Sequence, residues 1–225
     1  MQKLLLVLSI SFISIFSYSQ SHTPGTLNFS LSYDVGAHLV LYDSKFDNGT
    51  LSFESEQDSS GAVTSLFRFD AHFNILERLS VGLNYRTGQY IEDPDNTQAI
   101  GNKINIVGLN VRYYLVNKNK FAMYLGGAFG SSKLVMNRQT DPIFNTVILF
   151  DYKFSGSHYG LETGFNFYFS NNFGMNVGVG YASQKFKMKE HTFNGVDQDL
   201  TNYENILSSK GATFNIGLTF KLGGK

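Results

Sequence analysis

Strict period-two alternation of apolar and polar residues dominates this chain. In residues 27–41, leucine, phenylalanine, tyrosine and valine occupy most odd positions, whereas asparagine, serine, aspartate, glycine and histidine occupy most even ones. Such alternation places the two sets on opposite faces of a β-strand. It predicts eight strands, at residues 27–41, 63–75, 79–85, 107–115, 121–129, 159–169, 173–181 and 214–222.

The connections between these strands alternate in length, and none has the periodicity of an amphipathic helix. Long polar connections alternate with tight ones, the long set at residues 43–61, 90–102 and 189–205 and the tight set near Glu77 and at residues 116–120 and 170–172. Bacterial outer-membrane barrels sort their connections in this way, with long loops outside the cell and short turns in the periplasm. The pattern predicts an all-β fold, an eight-stranded antiparallel transmembrane up-and-down β-barrel.

Composition helps to decide whether the apolar or the polar face of the strands points out of the barrel. Charged residues make up only 16% of the chain, whereas about 25% is usual for a soluble domain. The polar face of the strands is mainly glycine, serine and asparagine, which suits a narrow lumen better than a water-facing surface. The alternative is a soluble barrel whose apolar side chains point inward around an apolar ligand.

The first twenty residues have the anatomy of a secretory signal peptide. Lys3 precedes an apolar run at residues 4–16, and Ser17 and Ser19 are small residues at the sites expected before a cut. The run is too short to span a bilayer as a helix. We expect a signal peptide at residues 1–19, a barrel domain at residues 20–225 and export across the inner membrane.

The last strand carries a further pattern. Asn215, Gly217, Phe220 and Leu222 follow the order polar, glycine, apolar, apolar, which resembles the C-terminal signal read by the machinery that assembles outer-membrane barrels. Three residues follow Leu222, whereas the usual signal ends the chain on an aromatic residue. With the leader, the eight strands and the loop asymmetry, the chain resembles the small bacterial outer-membrane β-barrel family, which includes OmpA-transmembrane-domain-like, OmpX-like and porin-like barrels.

The resemblance implies a location and a set of partners more than an activity. It implies the outer membrane of a Gram-negative bacterium, with outer-membrane lipids and the barrel assembly machinery as partners. The expected role is structural or in surface interaction, such as adhesion or recognition, through extracellular loops that meet an extracellular or envelope ligand. A narrow porin-like channel or a small-ligand carrier is the alternative, and a lipid-modifying enzyme is a third reading.

Apolar residues change parity at three places. Ile104 and Ile106 are out of step with the residues from Val107 onward, and Leu134 and Met136 are out of step with the preceding strand. A similar change separates residues 146–154 from the strand that follows. The first change predicts a β-bulge near Ile106. The other two predict that the fifth and sixth strands form a long hairpin that continues above the bilayer, with bulges where it leaves the membrane. An extra strand pair is the alternative, but it would break the alternation of loop lengths.

Charged and histidine side chains recur on the polar faces. Unpaired charges in a narrow interior are costly, so we expect these side chains to form one polar network that closes the lumen. Its predicted members are Asp34, His38, Arg68, Asp70, His72, Arg86, Arg112 and Glu162. The expected pairs are Asp34 with Arg68 and Asp70 with Arg86, with Glu162 reaching across from another strand.

Motifs for catalysis or cofactor binding are weak. Ser157, His158 and Glu162 supply the residue types for acyl transfer, but parity places Ser157 on the opposite face from the other two. The five histidines lack metal-ligand spacing, and residues 92–96 read more plainly as an acidic loop than as a calcium site. The charge is balanced, with 18 basic and 18 acidic residues, so the sequence does not show the excess of basic residues that is typical of nucleic-acid-binding proteins. We therefore predict no cofactor, no metal and no enzymatic activity.

Overall fold

A computed structural model describes residues 22–55, 58–92, 101–139 and 149–223. These residues form eight long strands and two short ones. The strands are β1 (Leu27–Asp47), β2 (Ser52–Glu54), β3 (Asp58–Leu76), β4 (Leu79–Glu92), β5 (Lys103–Lys118), β6 (Phe121–Gln139), β7 (Leu149–Tyr168), β8 (Phe173–Phe193), β9 (Val196–Asp197) and β10 (Tyr203–Leu222). The predicted signal peptide lies outside the described residues.

The eight long strands close into a ring because β10 pairs with both β8 and β1. Following paired residues around the ring from Leu31 leads back to β1 at Leu41, a stagger of ten residues. A staggered barrel of this size has strands tilted by about 35–45° from its axis. The predicted eight-stranded antiparallel barrel is confirmed. Among the described residues, no helix is long and apolar enough to cross a membrane.

The two ends of the barrel differ as the connections predict. One end, the turn end, holds tight turns at residues 77–78, 119–120 and 169–172, and there Leu27 pairs with Leu222. The other end, the loop end, holds the long connections. Much of the predicted connections at 43–61 and 189–205 is strand, since β1 continues to Asp47 and β8 to Phe193. Apolar alternation fades there because both faces become more polar, although backbone pairing continues.

A belt of apolar side chains surrounds the outside of the barrel from the turn end upward. Leu83, Leu161 and Phe169 are 61%, 68% and 63% exposed, and the other predicted apolar faces also point outward. In the same segments the interior holds the polar set, including Asp34 and Arg68. The alternative of a soluble barrel with this apolar set inside is therefore wrong.

Nearer the loop end the two faces exchange character without a break in the backbone. Ile104, Ile106, Leu134 and Met136 are buried inside the barrel, whereas the outward Lys103 and Lys133 are exposed. The pairing of β5 is continuous from Lys103 to Tyr114, and that of β6 with β7 from Phe121 to Gln139. The bulges predicted near Ile106 and in β6 are therefore wrong, because the parity change records a switch of apolar character from the outer face to the inner one.

The long hairpin of β6 and β7 is confirmed. Phe150, Tyr152 and Phe154 keep the inward parity of the rest of β7, and residues 146–148 lie outside the described part of the chain. Pairing shifts in this region only between β7 and β8, where Lys153 faces Glu190 and Phe154 faces Met188. The bulge thus belongs to β8, with Lys189 as its extra residue.

Candidate functional site: a lumen closed at three levels

The middle of the lumen holds a cluster of charged side chains from three strands, β3, β5 and β7. Arg68 on β3 donates from Nε to Asp70 Oδ2 at 2.8 Å, and from Nη1 and Nη2 to the two oxygens of Glu162 on β7 at 2.6 and 2.9 Å. Arg112 on β5 donates from Nη2 to Asp70 Oδ2 at 2.8 Å and to Glu162 Oε1 at 3.2 Å. The fork of Arg68 on Glu162 spans the lumen, so side chains close the barrel at this height.

A second ion pair lies beside this cluster. Arg86 on β4 donates from Nη1 to Asp34 Oδ2 on β1 at 3.2 Å. Together the two arrangements, which we call the charged cluster, contain the arginines Arg68, Arg86 and Arg112 and the carboxylates Asp34, Asp70 and Glu162, all with side chains at most 12% exposed. With three positive and three negative groups, the ion-paired cluster carries no net charge.

The structure brings together the six predicted charged residues but corrects the predicted pairs. Asp34 pairs with Arg86 instead of Arg68, and Asp70 pairs with Arg68 and Arg112 instead of Arg86. The stagger of the barrel is the reason. It moves each successive strand along its neighbour, so side chains that appear opposite in sequence counting lie at different heights.

The predicted histidine members lie around the charged cluster and have neutral hydrogen-bond partners. His38 Nε2 is 3.0 Å from Thr64 Oγ1, and His72 Nδ1 is 3.4 Å from Ser80 Oγ. Both rings are buried. Both histidines are thus buried lumen side chains with neutral polar partners, and neither forms an ion pair with a residue that the structure describes.

A tyrosine supports the charged cluster from the turn end. The guanidinium of Arg112 lies over the ring of Tyr124, 4.4 Å from its centroid, a favourable cation–π arrangement. Gly164 on β7 makes room for that ring, since a Cβ at Gly164 would come within 2.5 Å of the Tyr124 hydroxyl. Glycine at position 164 therefore allows the Tyr124 ring to lie where it contacts Arg112.

The turn end is closed by a group that sequence reasoning missed. His22, which precedes β1, is fully buried and stacks on Tyr114 with 4.1 Å between ring centroids. Its Nε2 is 3.2 Å from the Tyr168 hydroxyl, and Lys221 Nζ lies 3.9 Å above the Tyr168 ring. No periodicity marks His22, because it lies before the first strand and reaches the lumen by folding back.

An apolar layer closes the lumen nearer the loop end. Every long strand contributes to one buried cluster. The members that we call the apolar ring, one from each strand, are Val40, Ala62, Tyr90, Ile104, Leu134, Phe154, Phe186 and Leu207. Each is at most 5% exposed. The lumen is therefore filled by aromatic and imidazole side chains at the turn end, by the charged cluster in the middle and by the apolar ring toward the loop end.

A shallow pocket lies above the apolar ring at the loop end. Its volume is about 230 Å³, and Met136, Phe154 and Met188 are among its lining residues. At its rim Tyr42 donates a hydrogen bond to Glu92, which also accepts from Arg138 Nη2 at 2.6 Å. Small-molecule sites usually measure 300–1,000 Å³, so this pocket is small for a dedicated ligand site.

The residue types considered for acyl transfer are held apart from one another. His158 is buried with Nδ1 3.4 Å from Gln184 Nε2, and Glu162 is held by two arginines. Ser157 has the opposite, outward parity. Within the described residues no group of three or more His, Asp or Glu side chains could hold a metal ion, and most of the acidic segment at 92–96 lies outside them.

The C-terminal pattern lies on β10, which closes the ring. Phe220 and Leu222 point outward and are 44% and 55% exposed. Asn215 points inward and accepts a hydrogen bond from Asn176 Nδ2 at 3.2 Å. A Cβ at Gly217 would lie 2.2 Å from the carbonyl oxygen of Leu31, so close pairing with β1 requires glycine there.

Comparison with known proteins identifies the fold. No family model matches the chain, and no curated protein sequence matches it. Among solved structures, the outer membrane protein OprG from Pseudomonas aeruginosa has a TM-score of 0.56 and 14% identity, over 92% of this chain and 100% of that one. AlkL has a TM-score of 0.45 and 11% identity, over 92% and 95% of the two chains. Neisserial surface protein A has a TM-score of 0.39 and 14% identity, over 80% and 95%.

The likeness to OprG shows that this chain has the fold of an outer-membrane β-barrel. It does not narrow the resemblance to OmpA-like or OmpX-like barrels, because the fold is shared more widely than those groups.

Proposed function

We propose that this chain is an integral outer-membrane protein of a Gram-negative bacterium with a non-catalytic structural or surface-interaction role. The filled lumen is the observation on which this proposal rests. The stacked side chains of His22 and Tyr114, the charged cluster and the apolar ring occupy it at successive heights. A barrel filled in this way acts through its outer surface and its hairpins. The pattern of Asn215, Gly217, Phe220 and Leu222 supports the assembly machinery as a partner.

The dimensions of the apolar belt support insertion in a bilayer. Outward apolar residues extend over residues 27–39 on β1 and 214–222 on β10. At about 3.3 Å per residue and a tilt of about 35–45°, these lengths correspond to heights of about 20 to 30 Å. The apolar band of outer-membrane barrels is about 25 Å tall, so the belt suits that membrane.

Exposed apolar side chains at the hairpin tips support an interaction role. Phe53 and Tyr203 are 62% and 53% exposed, and both rings contact Phe46. On the other side of the barrel mouth, Val196 is 63% exposed and Phe193 contacts Phe150. Aromatic groups held open to water by paired strands are typical of binding surfaces, so these tips suit recognition of an extracellular or envelope ligand.

Epitope tags test the proposed orientation. We expect a tag at Gly49 or Gly195, both in turns with positive φ at the loop end, to be labelled on intact cells. A tag at Asn119, in the turn between β5 and β6, should be labelled only after the outer membrane is permeabilised. Labelling of Asn119 on intact cells would invert the orientation, and recovery of the protein outside the outer-membrane fraction would overturn the proposed location.

Planar-bilayer recording tests the closed lumen. The folded protein, verified by its heat-dependent gel mobility, should show no steady conductance, because the charged cluster and the apolar ring leave no continuous water path. Large, stable conductance steps from the wild-type protein would replace the proposed role with that of a channel.

A further inference from the structure

Lysines line the outer wall of five adjacent strands, directly above the apolar belt. On β6 the outward residues toward the loop end are Phe129, Ser131 and Lys133, and β8 repeats this order with Tyr181, Ser183 and Lys185. The outward lysines of β5 to β8 and β10, which we call the lysine arc, are Lys103, Lys133, Lys153, Lys185, Lys187 and Lys210. The order from aromatic through small to lysine matches the change from hydrocarbon to headgroup in a bilayer.

Strand pairing joins these lysines into a continuous series. Lys103 faces Val135, two residues from Lys133, and Val135 faces Lys153. Lys187 faces Ser155, two residues from Lys153. Likewise Lys185 faces Ser208, two residues from Lys210. Diagonal neighbours of this kind lie about 7–8 Å apart, so one multivalent anion can reach two ammonium groups.

Most of this positive charge forms no salt bridge with the residues that the structure describes. Lys153 and Lys187 form exposed ion pairs with Glu190 and Glu204, at 2.5 and 2.7 Å. The hydrogen bond from Lys187 lowers the pKa of the Glu204 carboxyl from its ordinary value. The other four members, Lys103, Lys133, Lys185 and Lys210, form no salt bridge with any residue that the structure describes.

The arc occupies one side of the barrel. Leu39 on β1 faces Lys210 on β10 and is 57% exposed, and the nearby outward residues Val63 and Ile91 are also apolar. At this height positive charge is therefore concentrated on the wall from β5 to β10, whereas the described outward residues of β1, β3 and β4 include no lysine or arginine until Lys45, farther toward the loop end on β1. A one-sided arrangement favours a specific contact over a general solubilising surface.

We propose that the lysine arc binds phosphate groups on the headgroup of a phosphorylated glycolipid in the outer leaflet. This inference rests on the proposed outer-membrane location. Lysine ammonium groups on flexible stems extend from the apolar wall to headgroup depth, and they bind phosphate as compact point charges. The serines between the aromatic residues and the lysines lie beside the belt, where hydroxyl groups can bind the sugar.

Lipid-exchange measurements test the proposal with the full-length folded protein. The protein in phosphatidylcholine nanodiscs is titrated with a bisphosphorylated glycolipid (lipid A), with the same glycolipid after removal of its phosphates, and with phosphatidylglycerol. Bound lipid is counted by native mass spectrometry. Inorganic phosphate in a parallel titration distinguishes a lipid site from a site for the free anion.

Matched variants assign the binding to the arc. Lys133→Gln with Lys210→Gln removes two arc charges, and Arg78→Gln with Lys120→Gln removes two exposed charges at the turn end, far from the arc. We expect the arc variant to bind the bisphosphorylated lipid about tenfold more weakly, since basic groups near a membrane surface each contribute to binding of anionic lipid. The control variant should bind it as the wild type does, and the dephosphorylated lipid should bind weakly to all three.

The possible outcomes separate the two proposals. Equal binding of the phosphorylated and dephosphorylated lipids, or equal losses in the two variants, would overturn the lipid assignment while the outer-membrane location stands. Displacement by inorganic phosphate at similar concentration would identify a site for the free anion and would also overturn it. Fractionation of the wild-type protein away from the outer membrane would instead overturn the location, whatever the lipid result.

Discussion

Arg68→Met should lower the free energy of unfolding by about 3–5 kcal/mol, because it leaves a buried carboxylate without its counter-charge. Arg68 binds both Asp70 and Glu162, and its side chain is 1% exposed. Removing it converts a neutral charged cluster into one with a net negative charge inside the barrel. Urea unfolding of the protein in lipid vesicles, followed by tyrosine fluorescence and gel mobility, measures the change.

A double substitution separates the loss of charge balance from the loss of packing. Arg68→Met together with Glu162→Met restores neutrality, so the double variant should be more stable than Arg68→Met alone. Lys153→Met is the control at an exposed ion pair, since Lys153 and Glu190 are 55% and 57% exposed, and it should leave the free energy of unfolding almost unchanged. A double variant less stable than the single one would show that the cluster stabilises the barrel by packing instead of charge pairing.

The second large effect is expected on the outer wall. Leu83→Arg should make folding into a bilayer less favourable by about 2–4 kcal/mol, because it places a charge on the lipid face near mid-depth of the belt. Leu83 is 61% exposed and is flanked along the same face by Val81 and Tyr85. Folding titrations into phosphatidylcholine vesicles give the magnitude.

Gln89→Arg provides the matched control for Leu83→Arg. Gln89 lies on the same strand and the same outward face, six residues nearer the loop end, beside Lys103. The cost of a charge falls to about 0–1 kcal/mol near the interface, so this variant should fold almost as well as the wild type. Similar losses in the two variants would show that the belt does not contact hydrocarbon where we place it.

Period-two alternation predicted the strands and their orientation because each outward side chain meets a different solvent from its inward neighbours. It also predicted that Arg68, Asp70 and Glu162 share the lumen. The pairs could not be predicted, since they depend on the stagger of the ring, which no local pattern reports. The parity of Ile104 and Leu134 was correctly observed but wrongly assigned to bulges, because alternation alone does not distinguish a backbone shift from a change in what surrounds the strand.

The apolar ring has a consequence for how freely the hairpins can change. A packed layer that includes Phe186 and Leu207 separates the exposed tips from Arg68 and its partners. Substitutions at Phe53 or Val196 therefore need not disturb the charged cluster or the lipid-facing wall. Different hairpins could therefore be grafted onto the same eight strands, because the apolar belt and the filled lumen can keep their sequence while the exposed tips change.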